Sequence, residues 1–326
     1  MDSSLRSKVI SDLSHGVFNF NFKLFNQIKK DDKNGVFSGF SLATILSMTS
    51  LGAKGKTLKE IRVALGLPTS KKQVKQAYSS ITRGLTSTSL GDGNVTLEIA
   101  NGVFPQKNFK ITSFFLKAQV KPLNYGSPAV AVQEINSWVD GRRFEARHTS
   151  NRDFHLASGS QFRSHDACPE YGNSICLYRF HRIRNNTFPY KGERFSMYIL
   201  LPDEKLGLSG LEDKLDSGDL DPNVLDTINF ESKRPVYLPK FKLSSSYDLK
   251  EGLQSIGIRR LFNHKADLSG IAGIRCGSLR HGYDDEIHAI APTPVIIDRP
   301  FLFLIRDSES GMIVFSGRVL NPLEST

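Results

Sequence analysis

The last stretch of the chain, residues 294–322, constrains the fold more than any other segment. An apolar run at 301–305 enters a polar turn at 307–311, and a second apolar run at 312–315 leaves that turn. Two short apolar runs on either side of a polar, glycine-containing turn predict a β-hairpin. We therefore expect the chain to end in two antiparallel strands.

Length and composition indicate a large folded protein. A chain of 326 residues with 39% hydrophobic residues can bury a sizeable core. No run reaches the roughly 18 consecutive apolar residues of a membrane span, so we expect no membrane partner. Residues 1–16 carry charges and serines where a signal peptide has an apolar segment, and the three cysteines suit a reducing compartment. We expect a cytoplasmic protein, with an unconventional route to the outside as the alternative.

The formal net charge of +10 requires that acidic partners be considered. Basic residues occur in short groups, such as those at 71–75, 142–147 and 179–184. No group is interleaved with aromatic residues as in a nucleic-acid-binding module. We expect a solvated basic surface and no nucleic-acid partner, and weak binding of a polyanion is the alternative.

The order of predicted elements favours an α+β fold. Residues 5–28 show helical spacing, residues 40–51 predict a buried helix, and Asn34 with Gly35 predicts a turn. Thr57 and Glu60 form the pattern of a capping box, which predicts a helix that begins at Thr57 and ends at Gly66. Further helices are predicted near 71–85, 129–139, 208–215 and 249–253, and strands near 95–104, 195–201, 228–230 and 236–243. Helices come first and strands dominate later, without the alternation of βαβ units.

Residues 141–194 interrupt this pattern, because they are rich in Arg, His, Ser and Asn and show little periodicity. We expect this stretch to be poorly ordered. It holds a group of possible metal ligands, namely His155, His165, Cys168, Cys176 and His181. Since no pair of them has the spacing of a metal site, we expect no bound metal.

Catalytic and nucleotide-binding motifs find no support in the chain. Gly55, Lys56 and Thr57 resemble the end of a phosphate-binding loop, but Ser50 stands where that motif requires a glycine. Neither a G-x-S-x-G elbow nor a C-x-x-C pair occurs. We expect a protein that is not an enzyme and that binds no cofactor.

Eight segments, in family order, resemble the serpin family of protease inhibitors, and most closely its plant cytosolic members of the serpin-Z type. These segments are 35–41, 51–57, 100–104, 134–139, 195–203, 238–243, 266–271 and the closing hairpin. The first is similar to the family's shutter motif F-S-P-x-S, with Gly39 in place of proline, and the resemblance implies shutter positions at Ser38, Ser41 and Asn101. It also implies one serpin-like α+β domain over residues 1–326, with a mixed or antiparallel central sheet, further sheets and about eight helices.

Two blocks of the serpin pattern have no counterpart in this chain. After residues 134–139 the family continues with a connection, a central-sheet strand and the segment N-A-x-Y-F-K-G-x-W, whereas this chain passes almost directly to 152–156. After Ile271 the family continues with another sheet strand and the hinge E-E-G-T-E-A-A-A-A. Neither follows Ile271 here, so the reactive-loop region at about 272–297 is truncated. We expect a central sheet that lacks strands.

These losses bear on the inhibitory mechanism that the resemblance implies. In that mechanism, a protease cleaves an exposed bait loop, which then inserts as a new strand into the central sheet. Arg275 lies where small hinge residues are needed, and burying it unpaired would cost on the order of several kcal/mol. The resemblance therefore implies a non-inhibitory serpin.

Leu279, Arg280 and His281 nevertheless resemble the Leu-Arg bait of plant serpins. This likeness implies an alternative function, a suicide inhibitor of trypsin-like serine proteases or of arginine-specific, papain-like cysteine proteases. An exposed loop arginine without a function fits the sequence equally well. A decayed gene whose product folds poorly is a third alternative.

Overall fold

A computed structural model of the chain describes a defined set of residues. They are 3–29, 33–87, 102–103, 119–120, 149–155, 161–167, 176–180, 183–189, 194–202, 207–218, 222–225, 236–239, 241, 243, 245, 247–272 and 295–324. Within this part of the chain lie seven α-helices and twelve strands, and the strands form three sheets. The α+β class is confirmed.

The helices are concentrated in the first third of the chain. Their bounds are α1 (Ser3–Ile28), α2 (Gly39–Gly52), α3 (Gly55–Leu65), α4 (Lys71–Ser87), α5 (Leu208–Ser217), α6 (Leu249–Ser255) and α7 (Ser269–Ala272), with 3-10 helices at Pro222–Leu225 and Arg260–Phe262. The helices predicted near 5–28, 40–51, 71–85, 208–215 and 249–253 are confirmed, and the one predicted at 129–139 lies outside the described residues. Among the described helices, none is both long and apolar enough to cross a membrane.

The strands are β1 (Gly35–Phe37), β2 (Gly102–Val103), β3 (Gln119–Val120), β4 (Thr149–His155), β5 (Gln161–Ala167), β6 (Cys176–Phe180), β7 (Ile183–Pro189), β8 (Phe195–Pro202), β9 (Val236–Pro239), β10 (Val295–Ile296), β11 (Phe301–Asp307) and β12 (Ile313–Val319). An antiparallel sheet has the order β1-β12-β11-β8-β7-β6, and a mixed sheet has the order β10-β9-β5-β4. β2 and β3 form a short parallel pair. The predicted strands at 228–230 and most of 95–104 lie outside the described residues.

The closing hairpin is confirmed as β11 and β12, which pair from Phe301 opposite Val319 onwards. β11 lies between β12 and β8, and all its residues are buried. Leu302 and Leu304 belong to a core cluster with α5, while Phe301 and Phe303 contact the Phe241 ring on the other face. Because both faces of the strand are covered, β11 reads as a continuous apolar run rather than an alternating one.

The helical core forms around α2, which is buried almost all round. A helix with no polar face must be enclosed, and α2 packs against α1, α3, α4 and β12. On α4, the Tyr78 ring stacks on Phe40 of α2 at 6.5 Å. Burial raises the pKa of the Tyr78 phenol to about 12, so Tyr78 contributes a neutral, core-filling side chain.

The described residues of 141–194 include all of β4, β5, β6 and β7, and the expectation that this stretch is poorly ordered stays a prediction. β4 and β5 pair over seven residues each, and β7 pairs with β6 on one side and β8 on the other. Backbone hydrogen bonding to neighbouring strands does not require alternating side chains. Periodicity within one segment therefore missed strands that partners elsewhere in the sheet stabilise.

The helix predicted after Thr57 is confirmed, but its capping box was wrong. α3 begins at Gly55, and Thr57 Oγ1 accepts a hydrogen bond at 3.0 Å from the backbone N–H of Asp267. Glu60 Oε2 accepts from the backbone N–H groups of Arg259 and Arg260, at 2.9 and 2.7 Å. Both side chains thus hold a distant segment against α3.

The turn predicted at Asn34 and Gly35 was also wrong, because Gly35 begins β1. Asn34 is buried and binds the end of the chain instead. Its Oδ1 accepts from the N–H groups of Leu320 and Asn321, and its Nδ2 donates to the carbonyls of Asn321 and Glu324. Asparagine favours turns, but here Asn34 makes hydrogen bonds to residues that are distant in the sequence.

A buried ion cluster joins the end of α1, α5 and β12. The Glu212 carboxylate lies 2.5 Å from Lys29 Nζ and 3.2 Å from Arg318 Nη1. Arg318 Nε also donates to the carbonyl of Lys33. The side chains of Arg318 and Glu212 are only 4% and 8% exposed, so the carboxylate compensates two cations that water hardly reaches.

Replacing Glu212 by Gln should therefore destabilise the protein strongly. The change keeps the shape of the side chain but leaves the buried Arg318 and the partly buried Lys29 without a countercharge, which we expect to cost about 3–5 kcal/mol of unfolding free energy. Urea unfolding followed by circular dichroism measures this loss. The same substitution at the exposed Glu251 of α6 is the control and should change stability little. Equal effects at both sites would contradict this role of the cluster.

Candidate functional site

The structure describes only part of the predicted functional residues. Ser38 and Ser41 lie within the described residues, whereas Asn101 and the bait candidates Leu279, Arg280 and His281 lie outside them. The described residues define the two ends from which segment 273–294 leaves the body of the protein. The candidate site therefore consists of the junction around Ser38 and the two anchors of that segment.

Ser38 connects the start of α2 to the closing strand. As the N-cap residue of α2, it accepts a hydrogen bond on Oγ from the Ser41 N–H at 3.2 Å. The same hydroxyl donates to the carbonyl of Val314 in β12 at 2.8 Å, and it lies 2.9 Å from the Ser41 hydroxyl. Ser38 and Ser41 therefore lie side by side, because Ser38 caps α2 and also binds β12.

The sequence analysis missed two further members of this junction, Asn21 of α1 and Ser316 of β12. Asn21 Nδ2 donates to Ser316 Oγ at 2.9 Å, and the Ser316 hydroxyl lies 3.0 Å from Asn21 Oδ1. Both side chains are buried. The sequence alone does not single out Asn21, because Asn19 lies in the same way between Phe18 and Phe20 and is exposed.

The upstream anchor of segment 273–294 is the stretch that ends in α7. Besides the Thr57 bond, the carbonyl of Asp267 accepts from the Lys54 N–H at 3.0 Å. A Cβ atom placed on Gly270 would lie 2.6 Å from the carbonyl oxygen of Gly52, so the two backbones touch directly. Only glycine permits this approach, and α7 is thereby fixed against the end of α2.

Lys71 completes this anchor from the side of α4. Its Nζ donates to the carbonyls of Leu51 and Ala53, at 2.6 and 3.1 Å, at the C-terminal end of α2. Burial lowers the pKa of Lys71 below its ordinary value, and the nearby cations Arg62 and Lys54 lower it further. The positive charge of Lys71 thus satisfies carbonyl groups at the C-terminal end of α2.

The downstream anchor is the mixed sheet. β10 pairs in parallel with β9, with Val295 opposite Val236. After it the chain is buried at Ile297, and Arg299 Nε donates to the carbonyl of Pro202 at the end of β8 at 3.0 Å. The chain is therefore held at β10 and again at Arg299, two residues before β11 begins at Phe301.

Both anchors are built from backbone contacts and buried side chains. The described residues of the anchors bring together no nucleophile and base.

Comparison with known proteins agrees with this architecture. The family model described as "Serpin (serine protease inhibitor)" matches residues 15–142 and 141–322. Iripin-2 of Ixodes ricinus is 28% identical over 361 aligned residues, which cover 88% of this chain and 88% of the relative.

Solved structures share the fold at lower identity. The native, stressed form of the Arabidopsis serpin AtSerpin1 has a TM-score of 0.78 at 22% identity, with 99% of this chain and 100% of that chain covered. Native protease nexin-1 with heparin also has a TM-score of 0.78 at 22% identity, with 97% and 100% covered.

Replacing Thr57 by Val should loosen the upstream anchor. Valine fills the same space but removes the acceptor for the Asp267 N–H, and an unpaired buried N–H costs about 1–3 kcal/mol. Hydrogen–deuterium exchange should become faster at 266–272, with a modest fall in melting temperature. Thr69→Val, at an exposed threonine, is the control. Unchanged exchange at 266–272 in Thr57→Val would show that the anchor does not depend on this bond.

Proposed function

The chain belongs to the serpin family, and we propose that it is a non-inhibitory member of this protease-inhibitor lineage. The observation that best supports this proposal is the position of the upstream anchor. Only residues 273–278 separate α7 from Leu279, the start of the bait candidate. That interval is shorter than the hinge E-E-G-T-E-A-A-A-A alone and leaves no length for a sheet strand before it. The loop therefore lacks the part that would insert.

The proposed acceptor slot is also incomplete. β4 begins at Thr149, so only nine residues, 140–148, follow the I-N-x-W-V segment before β4 starts. A connection, a central-sheet strand and the N-A-x-Y-F-K-G-x-W segment need several tens of residues. Two comparisons support this shortening. The family match divides at 141–142, and the alignment with Iripin-2 is longer than the 326 residues of this chain.

The composition of the interval supports the same proposal. Strand insertion buries alternate side chains, which is why hinges consist of small residues. Here the interval contains Arg275 between Gly273 and Gly277. Burial of an unpaired guanidinium and the backbone freedom of two glycines both oppose formation of an inserted strand.

The alternative function is a working suicide inhibitor with Leu279 and Arg280 as bait, directed at trypsin-like or papain-like proteases. This alternative predicts a stable covalent complex between the chain and the protease. The proposal predicts that this chain is only a substrate. A protease that forms an acyl-enzyme with Arg280 is released by hydrolysis when the loop cannot insert. In both cases the partner at Arg280 is a protease, and neither function needs a catalytic group in this chain. Similarity of 195–203 and 238–243 to plant serpins supports our placing it with the serpin-Z type.

Incubation with trypsin separates the two functions. We expect cleavage after Arg280 and complete turnover, with no protease-linked band on a denaturing gel. We also expect the two fragments to co-elute in size-exclusion chromatography, since β11 and β12 of the C-terminal fragment pair with β8 and β1. Arg280→Ala is the control and should abolish this cut. A complex of chain and protease that withstands denaturation would refute the proposal.

We propose polyanion binding as a second function, on the strength of α4. This helix carries Lys71, Lys72, Lys75 and Arg83 and no acidic residue, and the similar structure of protease nexin-1 is described with heparin. Lys72 and Lys75 are exposed, so their charges face solvent. Such a face attracts sulfated or phosphorylated polymers through salt-sensitive contacts.

Chromatography on immobilised heparin tests this second function. Replacing Lys72 and Lys75 together by Glu should make the protein elute at clearly lower salt than the unmodified chain. The charge-matched control replaces Lys214 and Lys250 by Glu, at exposed positions on α5 and α6. If both double variants elute at the same salt concentration, binding reflects net charge alone and α4 is not a site.

A further inference from the structure

Gly39 is the position at which this chain departs from the shutter pattern F-S-P-x-S, and the structure shows a steric reason. A Cβ atom placed on Gly39 would lie 2.7 Å from Asn21 Cβ and 2.8 Å from Asn21 Cγ, and nearer still to Asn21 Oδ1. Non-bonded carbon atoms come no closer than about 3.5 Å without repulsion. Any side chain at position 39, including the proline ring of the pattern, therefore collides with Asn21.

Asn21 cannot easily turn away to make room. Its amide is held by Ser316 through contacts of 2.9 and 3.0 Å, and the exposed fractions of Asn21 and Ser316 are 0% and 1%. Rotation of the amide would leave buried polar atoms unpaired. The position of Asn21 is thus set by β12, and the absence of a side chain at position 39 is what makes that position available.

We propose that Asn21 and Gly39 form one buried latch, which replaces the proline of the shutter pattern and ties α1 to β12 across the start of α2. The amide occupies the space that a side chain at position 39 would need, and it uses that space to make a hydrogen-bonded link. Because the latch depends on packing in the body of the protein, it is independent of whether the chain inhibits a protease.

The latch acts beside a second tie on the same strand. Ser38 Oγ donates to the carbonyl of Val314, two residues before Ser316, so α1 and the start of α2 are both fastened to β12. The Ser316 hydroxyl also lies 3.4 Å from the carbonyl of Phe37 at the end of β1. Separating α1 or α2 from β12 would break several buried hydrogen bonds together, so the junction should open as one unit.

A double-mutant cycle tests the latch through four proteins: the unmodified chain, Gly39→Ala, Asn21→Ala and the double variant. Gly39→Ala alone should lower the melting temperature by roughly 5 °C or more, because the new methyl group meets Asn21. In the Asn21→Ala background the same change should cost clearly less, because the contacts with Cγ and Oδ1 have gone and only the 2.7 Å contact with Cβ remains. Gly39→Pro should show the same dependence on the residue at position 21.

Asn26 supplies the matched control on the same helix. Its Nδ2 donates to Asp216 Oδ2 at 3.0 Å, so Asn26→Ala also removes one amide and one long-range hydrogen bond from α1. None of the atoms nearest to position 39 belongs to Asn26. The effects of Asn26→Ala and Gly39→Ala should therefore add.

Hydrogen–deuterium exchange supplies a readout that does not depend on the steric clash. Asn21→Ala should speed exchange at 313–319 of β12 more than at 301–307 of β11, whereas Asn26→Ala should not favour β12. The proposal is overturned if Gly39→Ala costs as much in the Asn21→Ala background as in the unmodified chain. It is equally overturned if Asn21→Ala leaves the exchange of β12 unchanged.

Discussion

The pairing of β11 with both β8 and β12 is the constraint on which the described structure depends. β11 is buried along its whole length, and each of its faces meets a different part of the core. Several other described elements take their positions from this hairpin directly or through one intermediate element. α2 packs on β12, α1 packs on α2, and the α5 cluster covers Leu302 and Leu304. Strands that lie far apart in the chain must meet before this sheet exists, so the fold closes only when the C-terminal segment is in place.

Buried polar groups then determine how the helices are oriented on the sheet. Apolar packing alone tolerates sliding and rotation, whereas each buried donor or acceptor requires a partner at a defined place. Asn21, Ser38 and Glu212 each connect a helix to β12, and Asn34 connects the start of β1 to the chain end. These buried polar contacts fasten the described helices around the closing hairpin.

Sequence patterns were reliable where one segment contains its own structural signal. The spacing over 5–28 reflects a helix that is buried along one stripe, and the apolar stretch at 40–51 reflects a helix that is buried on all sides. The apolar runs of the hairpin reflect strands that are buried on both faces. Sequence patterns did not indicate β4 to β7, which pair with partner strands, and they were wrong at Thr57, Glu60 and Asn34. Those three side chains carry local turn or cap signals, yet their hydrogen-bond partners lie in distant segments. For the candidate site, the family resemblance named Ser38 and Ser41, whose hydroxyls are hydrogen-bonded in the structure, but the sequence did not identify Asn21 and Ser316 beside them.

The sequence by itself determined the family, the α+β class, the closing hairpin and the shortness of the interval between Ile271 and Leu279, because order, composition and length are properties of the chain alone. Only the tertiary structure decided that α7 is fixed by Gly52 and Thr57, that Lys71 closes the end of α2, and that Gly39 is tied to Asn21. The physical reason is that a collision or a hydrogen bond exists between two atoms at a given distance. Residues 21, 39 and 316 acquire such distances only when three separate elements have packed together.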